Sequence, residues 1–300
     1  MLHFSCQIKI ISRKKPGSAK RIRQVFLRSL AALCENELEN TMRFIRYRDK
    51  QTKQPAFGWV LEEKVGRLEG SPFSEYRRLE PEWDLDQVEL LAPVLPTKVV
   101  CVGRNYASHA REHNVDVPDL PLLFLKPPSA VIGPQKPIYI PPQASRVEHE
   151  AEMAVIIGKS GRWIPAEKAN NHILGYTIAN DVTARQLQRS DGQWTRGKGF
   201  DTFCPLGPWI ETSLDPADTL ITCRVNDEMR QMASTREMIY TIPQLIAFAS
   251  SFMTLCPGDV LLTGTPAGVG PLREGDLVEI DIEGIGVLRN PVELEPERNT

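Results

Sequence analysis

The sequence predicts an α+β fold in which strands dominate, with a small β-rich module ahead of the main domain. Two observations carry this. Short apolar runs bounded by turn residues recur along the chain, as in KVVCVG, EMAVIIG, ILGYTIAND, GDVLLTG and GDLVEIDIEG. Helical periodicity extends over only one long stretch, TIPQLIAFASSFMTL, and βα units do not repeat at regular intervals. That pattern favours α+β over a doubly wound parallel sheet.

Residues 1–41 read as a flexible basic extension. Lys9, Arg13, Lys14, Lys15, Lys20, Arg21, Arg23 and Arg28 all precede the first acid, Glu35. The apolar patch VFLRSLAAL is broken by Arg28 and lacks a signal-peptide layout. A chain starting at Met42 is therefore expected to fold and react like the whole. Residues 42–95 form the β-rich module, with MRFIRY, AFGWVLEEKVGRLEG and VELLAPV as strands, and Pro93 and Pro96 punctuate its end. The main domain spans 96–294, and 295–300 is a tail. It opens on a buried strand, Lys98 to Val102, turns at Gly103, and continues into a short helix, NYASHAREH, with Asn105 as its expected cap.

Composition narrows the function classes. Three hundred residues hold one large domain or a large and a small one. A formal net charge of −2 argues against a nucleic-acid surface. No apolar stretch approaches the roughly 18 residues of a membrane span. The six cysteines, Cys6, Cys34, Cys101, Cys204, Cys223 and Cys256, form no C-x-x-C pair, and several lie in apolar runs. They read as buried free thiols in a reducing cytoplasm. The expectation is a cytoplasmic protein without nucleic-acid or membrane partners.

The stretch richest in chemistry runs from Val147 to Gln188. Glu150 and Glu152 sit two apart at the head of a strand-like run, so their side chains project the same way. Asp181 ends the apolar run ILGYTIAND. The Thr183-Ala184-Arg185-Gln186 that follows has the capping-box pattern of a helix start, which puts Asp181 at a strand-to-helix corner. Three carboxylates from two strands make a hard oxygen site, suited to Mg²⁺ or Mn²⁺ rather than Zn²⁺. Paired glutamates on a strand more often mark a solvated face, so this reading rests on the neighbouring motifs.

His109 and Glu112 lie three apart on one helix face, where a carboxylate raises the basicity of an imidazole and orients its ring. Taken alone, such a pair is more often a surface salt bridge. With His113 the string also fits H-x-x-E-H, a zinc-peptidase motif, but the proline-rich segment beyond it does not supply the long helix that motif needs. Gly192 to Lys198 nearly matches a phosphate-binding loop; Gly199 stands where Ser or Thr is required, and no strand feeds into it. Lys198, flanked by glycines, can approach a ligand closely. LLTGTPAGVG offers backbone N–H groups, Gly264 among them, and the Thr265 hydroxyl to a carboxylate.

Together these strings resemble the fumarylacetoacetate hydrolase family. GRNYASHARE, PLLFLKPPSAVIGP, VEHEAEMAVIIGK, GYTIANDVTARQLQ, RGKGFDTFCPLGPW and LLTGTPAGVG carry the resemblance from about Lys98 to Pro291. It implies a mixed sheet rolled into a core, a homodimer, and Mg²⁺ or Mn²⁺ on Glu150, Glu152 and Asp181. His109 and Glu112 match the dyad that activates water in hydrolytic members, with Lys198 as a third catalytic residue. Gln188, Thr265 and Gly264, with Arg104, are the substrate-binding positions. The substrate implied is a small 2-oxo acid. The reaction implied is metal-dependent C–C cleavage of a 2,4-dioxo acid of the acylpyruvate type through an enolate. Isomerisation of a 2-hydroxy-2,4-diene-dioate or decarboxylation of oxaloacetate is the alternative, and a non-catalytic oxo-acid-binding protein is the reading from another class.

Overall fold

The computed structural model describes residues 42–50, 52–112 and 116–297. The basic extension, the His113 of the zinc-type motif and the last three residues lie outside them. Twelve strands form the largest sheet. Its path runs Tyr76–Asp84, Lys64–Gly70, Pro55–Leu61, Arg43–Arg48, Cys204–Glu211, Ile173–Asn180, Ala151–Ile157, Val260–Leu262, Val99–Gly103, Leu122–Lys126. Glu89–Leu91 pairs beside Arg43–Arg48, and Val131–Ile132 beside Cys204–Glu211. Most pairs are antiparallel, but Val260–Leu262 runs parallel to Val99–Gly103, so the sheet is mixed. A five-stranded and a three-stranded sheet complete the β-structure. Among the described residues the longest helix is Ile242–Phe252, and no helix is long and apolar enough to cross a membrane.

The four strands from Arg43 to Asp84 pair in succession, and the first also joins the main domain through Arg43↔Glu211 and Phe44↔Ile210. The sheet therefore runs unbroken from the β-rich module to the strands that carry the carboxylates.

Ala151–Ile157 explains why AEMAVIIG reads as one continuous apolar run. All seven residues are buried, as a central strand covered on both faces requires. Ala151, Met153, Val155 and Ile157 face a core shared with the five-stranded sheet and the 242–252 helix. Ala154 and Ile156 face a second core containing Phe44, Trp59, Cys101, Cys204 and Leu262. Glu152 belongs to this second face by the period-two rule, and Glu150 follows it two residues earlier.

Glu150 itself lies in neither strand. Val147–His149 belongs to the three-stranded sheet and Ala151–Ile157 to the large one, so the chain changes sheets at Glu150. The two glutamates keep a common side despite this break.

The two expected helix caps are not formed. Thr183 and Ala184 make a short strand against Val147–His149, and the helix Arg185–Asp191 starts without a side-chain cap. The Thr183 hydroxyl instead donates to Glu150 Oε1 at 3.1 Å or to the Asp181 carbonyl at 2.9 Å. The helix at 107–112 likewise has no Asn105 cap. The Asn105 amide donates to the Tyr240 and Thr263 carbonyls at 3.0 and 2.8 Å and accepts from Tyr240 N. In both cases a buried partner from a distant element outcompetes the local backbone.

Candidate active site

Three carboxylates converge because two strands bring them into register. Ala151 lies opposite Asn180, so the next position places Glu150 opposite Asp181, and the Asp181 N–H donates to the Glu150 carbonyl at 2.9 Å. The Glu150 N–H donates to Asn180 Oδ1 at 2.9 Å. Glu150, Glu152 and Asp181 are all buried and offer ligand atoms within 4.8 Å of one another. Among the described residues this is the one group of three or more ligand-type side chains close enough to share an ion.

Cations surround this cluster. Lys198 Nζ lies 2.7 Å from both Glu150 Oε2 and Asp181 Oδ2, and sits 5.0 Å from the Phe124 ring centroid. Lys126 Nζ donates to Asp181 Oδ1 at 2.6 Å and to the Val182 carbonyl at 3.0 Å. Arg185 spends all three nitrogens: Nε on Glu148 at 2.6 Å, Nη2 on Glu150 at 2.5 Å and Nη1 on Gln188 Oε1 at 2.6 Å. Glu152 receives the Gly264 N–H at 2.6 Å. Gly264 adopts φ +94°, and a Cβ there would stand 2.7 Å from Asn105 Cβ, so only glycine brings this N–H so close.

The electrostatics of the three acids differ. Burial alone would raise the Glu150 carboxyl, but Lys198, Arg185 and His109 outweigh it and hold it well below the usual carboxylate range. Glu152 is pushed well above that range by burial, then by Asp181 and Glu150. Burial opposes the charge on Lys198, yet Asp181 and Glu150 prevail and raise its pKa, so it stays an ammonium. The donor set fits a hard divalent cation: three buried carboxylate side chains offer oxygen atoms within 4.8 Å of one another.

These groups form the floor of a cavity of about 560 Å³, a size ordinary for a small-molecule site. Arg104, His109, Gln188, Lys198 and Thr265 line it with the three acids, and Phe124 and Trp194 form an aromatic wall. His109 is buried, and its Nδ1 lies 3.5 Å from Glu112 Oε2. The Glu112 carboxylate also accepts the Gly268 N–H at 3.1 Å, which ties the 107–112 helix to the glycine-rich loop after Val260–Leu262. The expected groups are thus brought together, with two changes of role. The Gly264 N–H is committed to Glu152, not offered to a substrate. The Thr265 hydroxyl donates to the Ala151 carbonyl at 2.9 Å and accepts from Gln231 Nε2 at 2.8 Å, so its proton is not free for a carboxylate.

Sequence reasoning missed Lys126, Arg185 and Gln231. Gln231 is 1% exposed; its oxygen accepts from His149 Nδ1 and Ala151 N, and its nitrogen serves Thr265 and the Pro266 carbonyl. The signal available for Lys126 was a lysine closing the apolar strand LLFLK. For Arg185 it was the spacing of four from Asp181.

The fold and this carboxylate-floored cavity define an enzyme family. Residues 98–293 match Fumarylacetoacetate (FAA) hydrolase C-terminal and residues 42–93 match Rv2993c-like, N-terminal. The chain belongs to the fumarylacetoacetate hydrolase family. It is 55% identical over 213 residues to Protein Rv2993c of Mycobacterium tuberculosis, covering 70% of this chain and 80% of the relative. It is 48% identical over 219 residues to the mitochondrial oxaloacetate tautomerase FAHD2B of Bos taurus, covering 69% of this chain and 70% of the relative. The crystal structure of 2-hydroxyhepta-2,4-diene-1,7-dioate isomerase from Mycobacterium marinum superposes with a TM-score of 0.79 at 45% identity, covering 85% of this chain and 100% of that one.

Proposed function

We propose that this protein is a Mg²⁺- or Mn²⁺-dependent tautomerase or isomerase of 2-oxo acids that moves a proton between carbon and the 2-oxo oxygen. The observation that carries this reading is the buried Glu150–Glu152–Asp181 cluster with Lys198 against two of its members and His109 on the same cavity wall. The similarity to an oxaloacetate tautomerase and a dienedioate isomerase supports a reaction that ends at proton transfer.

A divalent cation held by Glu150, Glu152 and Asp181 supplies Lewis acidity toward the 2-oxo group. His109 accepts the proton from the carbon beside the oxo group, and Glu112 stabilises the imidazolium that results. The C–H electron pair becomes the C=C bond, the carbonyl pair moves to oxygen, and the fixed charge of Lys198 stabilises the oxyanion. Reprotonation on oxygen gives the enol; the reverse order returns the oxo acid. The same reading carries a cytoplasmic homodimer.

Hydrolysis of an acylpyruvate is the second reading, favoured by the His109–Glu112 pair, which also suits activation of water. Enol oxaloacetate and an acylpyruvate, each assayed with and without EDTA, distinguish the two. EDTA-sensitive loss of the enol absorbance without acylpyruvate cleavage supports the tautomerase. Cleavage to pyruvate supports the hydrolase. No acceleration of either reaction overturns both.

A further inference from the structure

Two guanidinium groups on the cavity wall differ from every other cation there. Arg185 has all three nitrogens engaged, and Lys198 has two carboxylates and an aromatic face. Arg104 and Arg189 line the same cavity but make no hydrogen bond or ion pair with another described residue. Arg104 is half-buried and Arg189 is exposed. Arg189 lies four positions after Arg185 on the same helix face, and both line the cavity. The acid at the end of that helix, Asp191, is taken by both arms of Arg196 at 2.6 and 2.7 Å. Arg104 follows the Val99–Gly103 strand with φ +60°, a backbone conformation that a residue with a Cβ seldom adopts. Beside it, a Cβ on Gly103 would stand 2.7 Å from Trp194, so an aromatic ring, not an acid, occupies the adjacent space.

Lys198 and Arg185 pair with Glu150, Lys198 and Lys126 pair with Asp181, and Glu152 accepts the Gly264 N–H. Arg104 and Arg189 thus line the cavity without pairing to any acid of its floor. Guanidinium groups recognise carboxylates with paired donors. We propose that Arg189, together with Arg104, binds a second carboxylate of the substrate and makes the site selective for 2-oxo dicarboxylates over 2-oxo monocarboxylates. This rests on the reading of the cavity as a site for 2-oxo acid enolisation.

The test compares deuterium exchange at C3 of oxaloacetate and of 2-oxobutyrate, which share a 2-oxo carboxylate and differ in the second one. Wild type is expected to favour oxaloacetate in kcat/KM. Arg189→Gln and Arg104→Gln should each reduce that preference roughly 10- to 100-fold, the scale of a lost charge-assisted hydrogen bond, mainly through KM. Arg189→Lys should recover part of the preference, because the charge is retained. Inhibition by oxalate, which lacks a distal carboxylate, should weaken far less than oxaloacetate binding does. Equal losses on both substrates and on oxalate would mean that the arginines only support the fold, and would overturn the clamp alone. Exchange of neither substrate by wild type would overturn the enolisation reading and the clamp with it.

Discussion

Lys126 and Asp181 form an ion pair at 2.6 Å in which the side chains are 0% and 1% exposed. Removing one partner of an isolated buried pair costs about 3–5 kcal/mol; Asp181 would keep Lys198 at 2.7 Å, so the lower end, about 3 kcal/mol, is expected here. Lys126→Met should lower stability by that order in urea unfolding, without altering any group proposed to touch substrate. A divalent cation on Asp181 would restore part of the countercharge, so Mn²⁺ should raise the melting temperature of the variant more than that of wild type. A variant as stable as wild type would show that Asp181 does not depend on this lysine.

The metal site makes its own prediction. Saturating Mn²⁺ should stabilise wild type by about 2.7 kcal/mol at a hundredfold excess over Kd. Glu150→Gln, Glu152→Gln and Asp181→Asn should each lose most of that stabilisation, since a hard-cation site with one anion fewer binds weakly. Calorimetric titration reads this without reference to catalysis, and undiminished affinity in all three variants would rule the site out.

His109→Ala should reduce proton transfer by about 10²–10⁴-fold, the usual range for loss of a general base, while metal affinity stays near that of wild type. Glu112→Gln should cost less, because the imidazole remains and loses only its neighbouring charge at 3.5 Å. Full activity in His109→Ala would remove the imidazole from the mechanism.

The buried thiols predict behaviour at high pH. Burial pushes Cys204 and Cys223 from 9.0 up to about 12. Folded chains therefore keep these protons where unfolded chains release them. The native state binds more protons above pH 9, so stability falls as pH rises from about 9 towards 12. A Cys204→Ala, Cys223→Ala double variant should show a shallower decline in melting temperature over that window. Native-state thiol labelling at pH 8 should also spare Cys101, Cys204 and Cys223 and modify Cys256, which is only partly buried.

What the sequence disclosed and what it hid divide along physical lines. Glu150, Glu152 and Asp181 were readable because period-two alternation and an apolar run ending in Asp are local patterns. The strands, and the helix at Ile242–Phe252, were readable for the same reason. Lys126 lies 55 positions from Asp181, and nothing local announces their contact. Thr183 and Asn105 carried cap signals that were chemically sound, but a buried carboxylate and two distant carbonyls claimed their side chains. Gly264 and Thr265 were placed correctly in the glycine-rich loop. Their donors went to Glu152 and Ala151, which only the packed structure could assign.

The pairing of Arg43–Arg48 with Cys204–Glu211 has a consequence for synthesis. Arg43 and Glu211 are 168 positions apart, and their side chains meet at 2.8 Å. At roughly 5–20 residues per second, the interval between their emergence is on the order of ten to thirty seconds. The hairpins from Arg43 to Asp84 can form at once and Glu89–Leu91 can cover Arg46–Arg48, yet the Arg43–Phe44 end of that edge must wait on the ribosome without its final neighbour. Such an edge invites wrong partners. The polysome is therefore where this chain is most exposed to misassembly, and a chaperone that shields nascent strands would matter more to its yield than to its finished stability.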